Sequence, residues 1–272
     1  NNYLTIIDFG SSKIRLGIFN KKFDHLYSSS KLIIDKNDFD EISELINFLI
    51  KDAEKKISNH INEVTLLNDD AKINSIDLCI KKKFDEKSTI NQIFSNIILE
   101  ASQLIKNNYK NDKILHIIEN KYVIDGKEHS KKIEKNLYFK EIIIDLKFIC
   151  ITNDNYTKLT NIFNKNNLNI SNFFLSSYIK SFFYLKSFNK NKTVAFLDIG
   201  WEKSILNYFI NDKLVFIKSI PIGGNHITKD ISKVLNLKLD ESEKIKTAFN
   251  ESEFEFSYEE NINDEKNKRS EE

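Results

Sequence analysis

A chain of 272 residues, 40% hydrophobic and 30% charged, is too long for one simple core and has the length for two or three subdomains. Its net charge of +1 hides an acidic end, since Glu251 to Glu272 hold nine acidic and three basic residues. Arginine occurs only at Arg15 and Arg269, and the lysines alternate with Asp and Glu throughout, which excludes a dedicated nucleic-acid-binding patch.

Leu4 to Asp8, Ile14 to Asn20 and Leu26 to Ile34 read as three short strands joined by turns. "DFDEISELINFLIKDAEKKI" follows with Ile42, Leu45, Ile46, Leu49 and Ala53 at helical spacing and Asp38 as N-cap. "EVTLL" is a strand candidate, and "STINQIFSNIILEASQLIKN" is an amphipathic helix that Ser88 caps. "KILHIIENKYVID" and "KEIIIDLKFICIT" read as strands, and "NYTKLTNIFNKNN" as a helix. "LNISNFFLSSYIKSFFYLK" reads as a strand leading into a helix. From position 192 the opening order returns: Thr193 to Asp198, Ser204 to Ile210 and Leu214 to Ile220 as strands, then "GGNHITKDISKVL" as a helix. The architecture is therefore α/β with a repeated β-β-β-α unit. The stretch from Asn62 to Ile149 breaks this alternation and reads as an inserted subdomain.

Two cysteines, Cys79 and Cys150, lie in apolar segments, and no Cys/His cluster has zinc spacing, so a reducing, cytosolic setting is expected. No apolar run approaches the roughly 18 residues of a membrane span, and the polar start is not a signal peptide. With abundant Asn and Ile, one Pro and no Met, the composition reads as that of an AT-rich genome, and the missing initiator Met as that of a fragment or trimmed chain.

The repeat carries chemistry. "IIDFGSSKIRLGIF" (6–19) and "FLDIGWEKSILNYF" (196–209) align Asp8 with Asp198, Gly10 with Gly200 and Lys13 with Lys203. Such a strand delivers a carboxylate to the sheet edge, where a hydrated divalent cation takes it, and Gly10 permits a tight turn and close approach to a ligand. The amides of Ser11, Ser12 and Lys13 then form an anion nest. A single Asp-x-Gly between strands is most often only a hairpin turn; two copies in matched units favour a clamp on a polyphosphate. "PIGGNHIT" places Gly223 and Gly224 at a strand-to-helix junction suited to anions, or to a flexible connection with an Asn cap.

The paired hairpins resemble the phosphate-binding loops of the actin and sugar-kinase superfamily, whose fold is ribonuclease-H-like and two-lobed. Within it the chain is similar to FtsA, the actin-like bacterial cell-division family, through "IIDFGSSKIRLGI", "ILHIIENKYVID", "VAFLDIG", "IPIGGNHITKDIS" and "DESEKIK". The resemblance implies lobe 1 (subdomain 1A) in 1–61 and 150–191, an inserted subdomain 1C (of the SHS2 type) in 62–149, the start of lobe 2 (2A) in 192–250 and an incomplete 2B in 251–272. It implies ATP with Mg²⁺, self-association into polymers, and a peripheral place on the cytoplasmic face of the cell membrane. The implied partners are the division GTPase FtsZ, other divisome proteins through subdomain 1C, and the membrane through a C-terminal helix absent from this chain. Asp8 and Asp198 match the metal-side aspartates. Gly10, Ser11, Ser12 and Lys13 match the first phosphate loop, Gly200, Trp201, Lys203 and Ser204 the second, and Gly223, Gly224 and Asn225 the glycine turn. Glu243 and Lys246 match a pair near the nucleoside; spacing alone reads them as a solvated charge pair.

The second loop departs from the family's glycine- and threonine-rich turn. Glu202 places an anion near phosphates, so either Lys203 and the metal offset it, or its side chain turns outward, or nucleotide affinity falls. Trp201 stacks on a base or packs between lobes. At most weak ATPase activity is expected. A pilus-assembly adaptor of the PilM type and a small-molecule kinase of the same superfamily are the competing readings.

Overall fold

Alternation at the start of the chain produces a meander. In the computed structural model, which describes residues 3–129, 137–188 and 193–251, β1 (Tyr3–Phe9), β2 (Lys13–Asn20) and β3 (His25–Leu32) pair antiparallel in sequence order. Ile7, Ile14, Leu16 and Ile18 are fully or almost fully buried. Helix α1 (Phe39–Ile57) adds Ile42, Ile46, Leu49, Ile50 and Ala53 to the same core. Its start obeys the capping rule: the Asp38 carboxylate accepts from the Asp40 and Glu41 amides. Its end turns through Ser58 in the left-handed region, φ 51°.

Strand β4 (Glu63–Leu67) runs parallel to β1, and β9 (Asn169–Phe174) runs parallel to β4, giving the order β3-β2-β1-β4-β9. This corrects the boundary at Asn62. "EVTLL" is an inner strand of the main sheet with Val64 and Leu66 buried, and the chain leaves that sheet only at β5 (Ile73–Thr89). Five residues do not encode which sheet they join; the parallel partners on either side decide it.

β5 is the element missed in the sequence. It pairs with β8 (Tyr138–Thr152), which pairs with β6 (Asp112–Ile124), which pairs with β7 (Lys127–His129), all antiparallel. Helix α2 (Ile90–Asn108) shares a second core with this sheet: Ile97, Ala101 and Ile105 with Phe139, Ile142, Ile144, Leu146 and Phe148. Because β5 runs through Thr89, Ser88 is not a helix cap; it sits opposite Phe139 in the sheet. The period-two alternation of β8 then joins the two cores. Phe148 and Cys150 face the second cluster, whereas Ile149 and Ile151 face the first.

Helix α3 (Asn153–Lys165) leads to β9 and helix α4 (Ser176–Leu185). A second meander follows, β10 (Thr193–Ile199), β11 (Ser204–Ile210) and β12 (Lys213–Ile220), with Ile205, Phe209, Leu214 and Ile217 in the first core. Helices α5 (Gly224–Leu235) and α6 (Leu239–Glu251) come last. The chain divides into two compact units, 1–223 and 224–272, so β10–β12 group with the preceding strands rather than opening a new unit at position 192. The expected 2B opening, 251–272, lies outside the described residues apart from Glu251.

Candidate functional site

Both hairpins close in the same way. The Gly10 amide donates to the Lys13 carbonyl at 3.0 Å, and the Gly200 amide to the Lys203 carbonyl at 2.9 Å. A Cβ on either glycine would meet that same carbonyl at 3.0 and 2.9 Å, so a side chain would push the turn open. The registers also coincide: Asp8 lies opposite Arg15, and Asp198 opposite Ile205. Neither tip holds a residue of positive φ among those described, so Trp201 and Glu202 enter the second turn without backbone strain. Gly223 packs on that turn, where a Cβ would fall 2.5 Å from the Gly200 carbonyl, 2.6 Å from that of Trp201 and 2.7 Å from the Lys203 nitrogen.

Parallel pairing assembles the rest. β1, β4 and β9 point their carboxyl ends to one edge, the place where open α/β sheets hold ligands. Asp8 lies near the end of β1, Asp69 just past β4 and Ser176 just past β9, while the Asn68 amide ties the β4 end to the Phe9 carbonyl at 2.7 Å. Asp8, Gly10, Ser11, Ser12, Asp198, Gly200, Trp201 and Lys203, all expected at the site, line one cavity of about 140 Å³ together with Arg15, Asp69, Ser176 and Lys180. That volume is below the roughly 300 Å³ of small-ligand pockets and suits a phosphate group rather than a whole nucleotide.

Other expected residues fall elsewhere. Lys13 begins β2, and the Ser204 hydroxyl donates to the Ile222 carbonyl at 2.6 Å; neither lines the cavity. Gly224 and Asn225 open α5 in the second unit. Within that unit Glu243 and Lys246 pair at 2.6 Å, and the Lys246 ammonium also donates to Thr228 Oγ1 at 2.9 Å and to the Gly224 carbonyl at 3.2 Å. The pair therefore fastens α6 to α5. Glu202 resolves the alternatives left open for it: its carboxylate turns away from the cavity and pairs with Lys36 at 2.6 Å.

Arg15, Asp69, Ser176 and Lys180 went unrecognised in the sequence. Arg15 was visible as one of two arginines, alternating with Lys13 on a strand, and "NDD" directly after an apolar run marked Asp69. Lys180 had no signal, since one lysine in a helix resembles any other. Asp8 accepts from the Ser176 hydroxyl at 3.0 Å and pairs with Arg15 at 3.2 Å; Asp198 pairs with Lys180 at 3.0 Å. Asp69 accepts from the Ser177 amide at 3.1 Å and its hydroxyl at 2.8 Å, at the start of α4. Burial raises the pKa of Asp69 and the charge of Asp198 adds to it, against the Ser177 hydrogen bonds and Lys203. For Lys180, burial alone would lower the pKa, but the bond to Asp198 and the charges of Asp198, Asp8 and Asp69 outweigh it and raise it. Lys203 is lowered by burial, opposed by Asp69, Asp70 and Glu202, and its ammonium donates to the Asp69 carbonyl.

The Mg²⁺ implied by the resemblance can be tested against this donor set. Mg²⁺ needs free carboxylate oxygens within an octahedral shell at about 2.0–2.1 Å. Here each of the two aspartates already closes an ion pair, one with Arg15 and one with Lys180. Among the described residues no three His, Cys, Asp or Glu side chains are grouped to hold a metal. The residues as placed do not fit a divalent ion between Asp8 and Asp198.

A family model described as cell division protein FtsA matches residues 195–272. The chain is FtsA-like. It is 26% identical to FtsA of Helicobacter pylori over 146 residues, covering 53% of this chain and 29% of the relative. To FtsA of Bacillus subtilis it is 26% identical over 168 residues (61% and 37%), and to FtsA of Buchnera aphidicola 27% over 215 residues (78% and 50%). The chain thus spans half or less of the length of these FtsA relatives. Among solved structures, the PilM–PilN type IV pilus biogenesis complex superposes with a TM-score of 0.67 at 11% identity, covering 90% of this chain and 69% of that one. The ethanolamine utilization protein EutJ of Carboxydothermus hydrogenoformans gives 0.51 at 11% identity, covering 91% and 62%. The fold is the actin-like α/β fold that the family resemblance implied. Among the described residues no helix is long and apolar enough to cross a membrane.

Proposed function

We propose that the chain is part of an FtsA-type cell-division protein that binds ATP in the cleft between the two hairpins. In this reading it assembles into polymers on the cytoplasmic face of the membrane, links FtsZ to that membrane, and recruits later division proteins. The observation that supports it is the duplicated hairpin: two turns of equal register and equal closure, carrying Asp8 and Asp198 into one cavity. The amides and hydroxyls of Ser11 and Ser12 and the ammonium groups of Lys203 and Lys180 are the natural holders of phosphate oxygens there. Arg15 holds Asp8 in place through an ion pair of 3.2 Å.

The subdomain assignment follows with its boundary moved: β1–β4, α1, α3, β9 and α4 as 1A, β5–β8 with α2 as the inserted partner-binding subdomain, and β10 to α6 as the beginning of lobe 2. The 11% identity to PilM speaks to fold alone, whereas the sequence matches are all to FtsA. Calorimetric titration with ATP tests the reading. Binding is expected, with Asp8→Ala about tenfold weaker through loss of the Arg15 and Ser176 anchor; a folded protein that takes no ATP under any ionic condition would sink it. Co-pelleting with FtsZ, set beside co-pelleting with PilN, separates the division protein from the pilus adaptor.

A further inference from the structure

Equal register exposes an inequality between the two hairpins. Asp8 has a cation directly across its strand pair, Arg15, whereas the matching position opposite Asp198 is Ile205, which has no charge to offer. Helix α4 supplies what the second hairpin lacks. One turn separates Ser176, whose hydroxyl binds Asp8, from Lys180, whose ammonium lies 3.0 Å from Asp198. The first turns of a single helix thus reach both aspartates.

We propose that Lys180 is the resident cation of this cleft, filling the place of a divalent ion between Asp8 and Asp198, so that a polyphosphate binds here without Mg²⁺. The proposal rests on the nucleotide reading above. Of the acidic lining residues, Asp8 pairs with Arg15 and Asp198 with Lys180, while the Asp69 carboxylate is held by the Ser177 amide and hydroxyl, so both aspartates at the hairpins already have a cation. Lys180 is 51% exposed while Asp198 is 29% exposed, so the ammonium keeps an open side. It carries three donors and Asp198 takes one, leaving the others for phosphate oxygens.

The test is calorimetric titration of the purified protein with ATP and with pyrophosphate, in excess Mg²⁺ and in EDTA, for the wild type, Lys180→Arg and Lys180→Met. The expected wild-type affinity differs by less than about threefold between the two conditions, and Lys180→Arg behaves likewise. Lys180→Met should bind about tenfold more weakly in EDTA, with part of the loss restored by Mg²⁺ once the site between the aspartates is vacated. Wild-type binding that collapses in EDTA would overturn the proposal while leaving the nucleotide reading intact. A Lys180→Met protein, folded by circular dichroism, that binds as the wild type does in EDTA would also overturn it. Should that variant not fold, the wild-type pair of titrations decides alone. Absence of binding in both conditions would instead overturn the nucleotide reading itself.

Discussion

Glu202 shows how a side chain's identity and its direction part company. By position it is a carboxylate in a phosphate loop; by geometry it is half of an exposed pair with Lys36. Exposed pairs contribute little, about 0–1 kcal/mol. Glu202→Gln should therefore shift the ATP dissociation constant by less than about threefold and leave the melting temperature almost unchanged. A tenfold tightening would mean that the carboxylate faces the ligand after all. Gly223 behaves in the opposite way. It looks like a flexible link in the sequence, yet three backbone atoms of the second hairpin lie 2.5–2.7 Å from where a Cβ would stand. None of them is the tip of a side chain that could swing aside. Gly223→Ala should cost about 3 kcal/mol, read as a fall in Tm of roughly 6–10 °C, because the hairpin itself must move.

Elements with local signals formed where the sequence put them. Helix α1 has the whole set: an apolar stripe, Asp38 at the N-cap, acidic Asp40 and Glu41 in the first turn, and basic Lys55 and Lys56 in the last. The Glu41 carboxylate also reaches back to the Ile34 and Asp35 amides at 3.1 and 3.2 Å, fixing the angle at which the chain enters the helix. Asp38→Ala leaves two amides without their acceptor and should lower unfolding free energy by about 1 kcal/mol in urea titration, whereas Asp38→Asn should recover most of it. Strand β5 carried a weaker signal, passed over in the sequence. Its period-two alternation is confined to Ile76, Leu78 and Ile80 against Asp77, Cys79 and Lys81, and the run of Lys, Asp and Glu that follows carries no turn residue to bound it.

At the scale of the whole molecule, the four-stranded sheet is joined to the five-stranded one by β8, whose two faces pack into both cores, and by His116. This residue of β6 accepts the Leu175 amide on Nε2 at 3.1 Å, at the junction of β9 and α4, and stacks on Phe174. Burial pushes its pKa down to about 4 from the ordinary 6.5. The folded protein therefore binds this proton less readily than the unfolded chain. The contribution is complete above pH 6.5 and is lost progressively as pH falls from 6.5 to 4, by up to ~3 kcal/mol. Urea midpoints measured across that window should decline, and His116→Gln should remove most of the slope between pH 5 and 6.5, above the range where ordinary carboxylates titrate. An unchanged slope would place the imidazole in water.

The sequence by itself determined the repeated unit, the two turns and their glycines, and the first helix with its Asp38 cap. All of these are written in residues close to one another, in period-two or 3.6 spacing and in backbone demands that only certain residues meet. It also carried Asp8 and Asp198, because each stands in a short motif whose neighbours identify it. Only the tertiary structure decided that β4 belongs between β1 and β9, that Glu202 faces Lys36, and that Asp69, Ser176 and Lys180 join the cleft. These residues lie far apart in sequence and meet because three parallel strands end at one edge, and no local pattern records which strands will lie side by side.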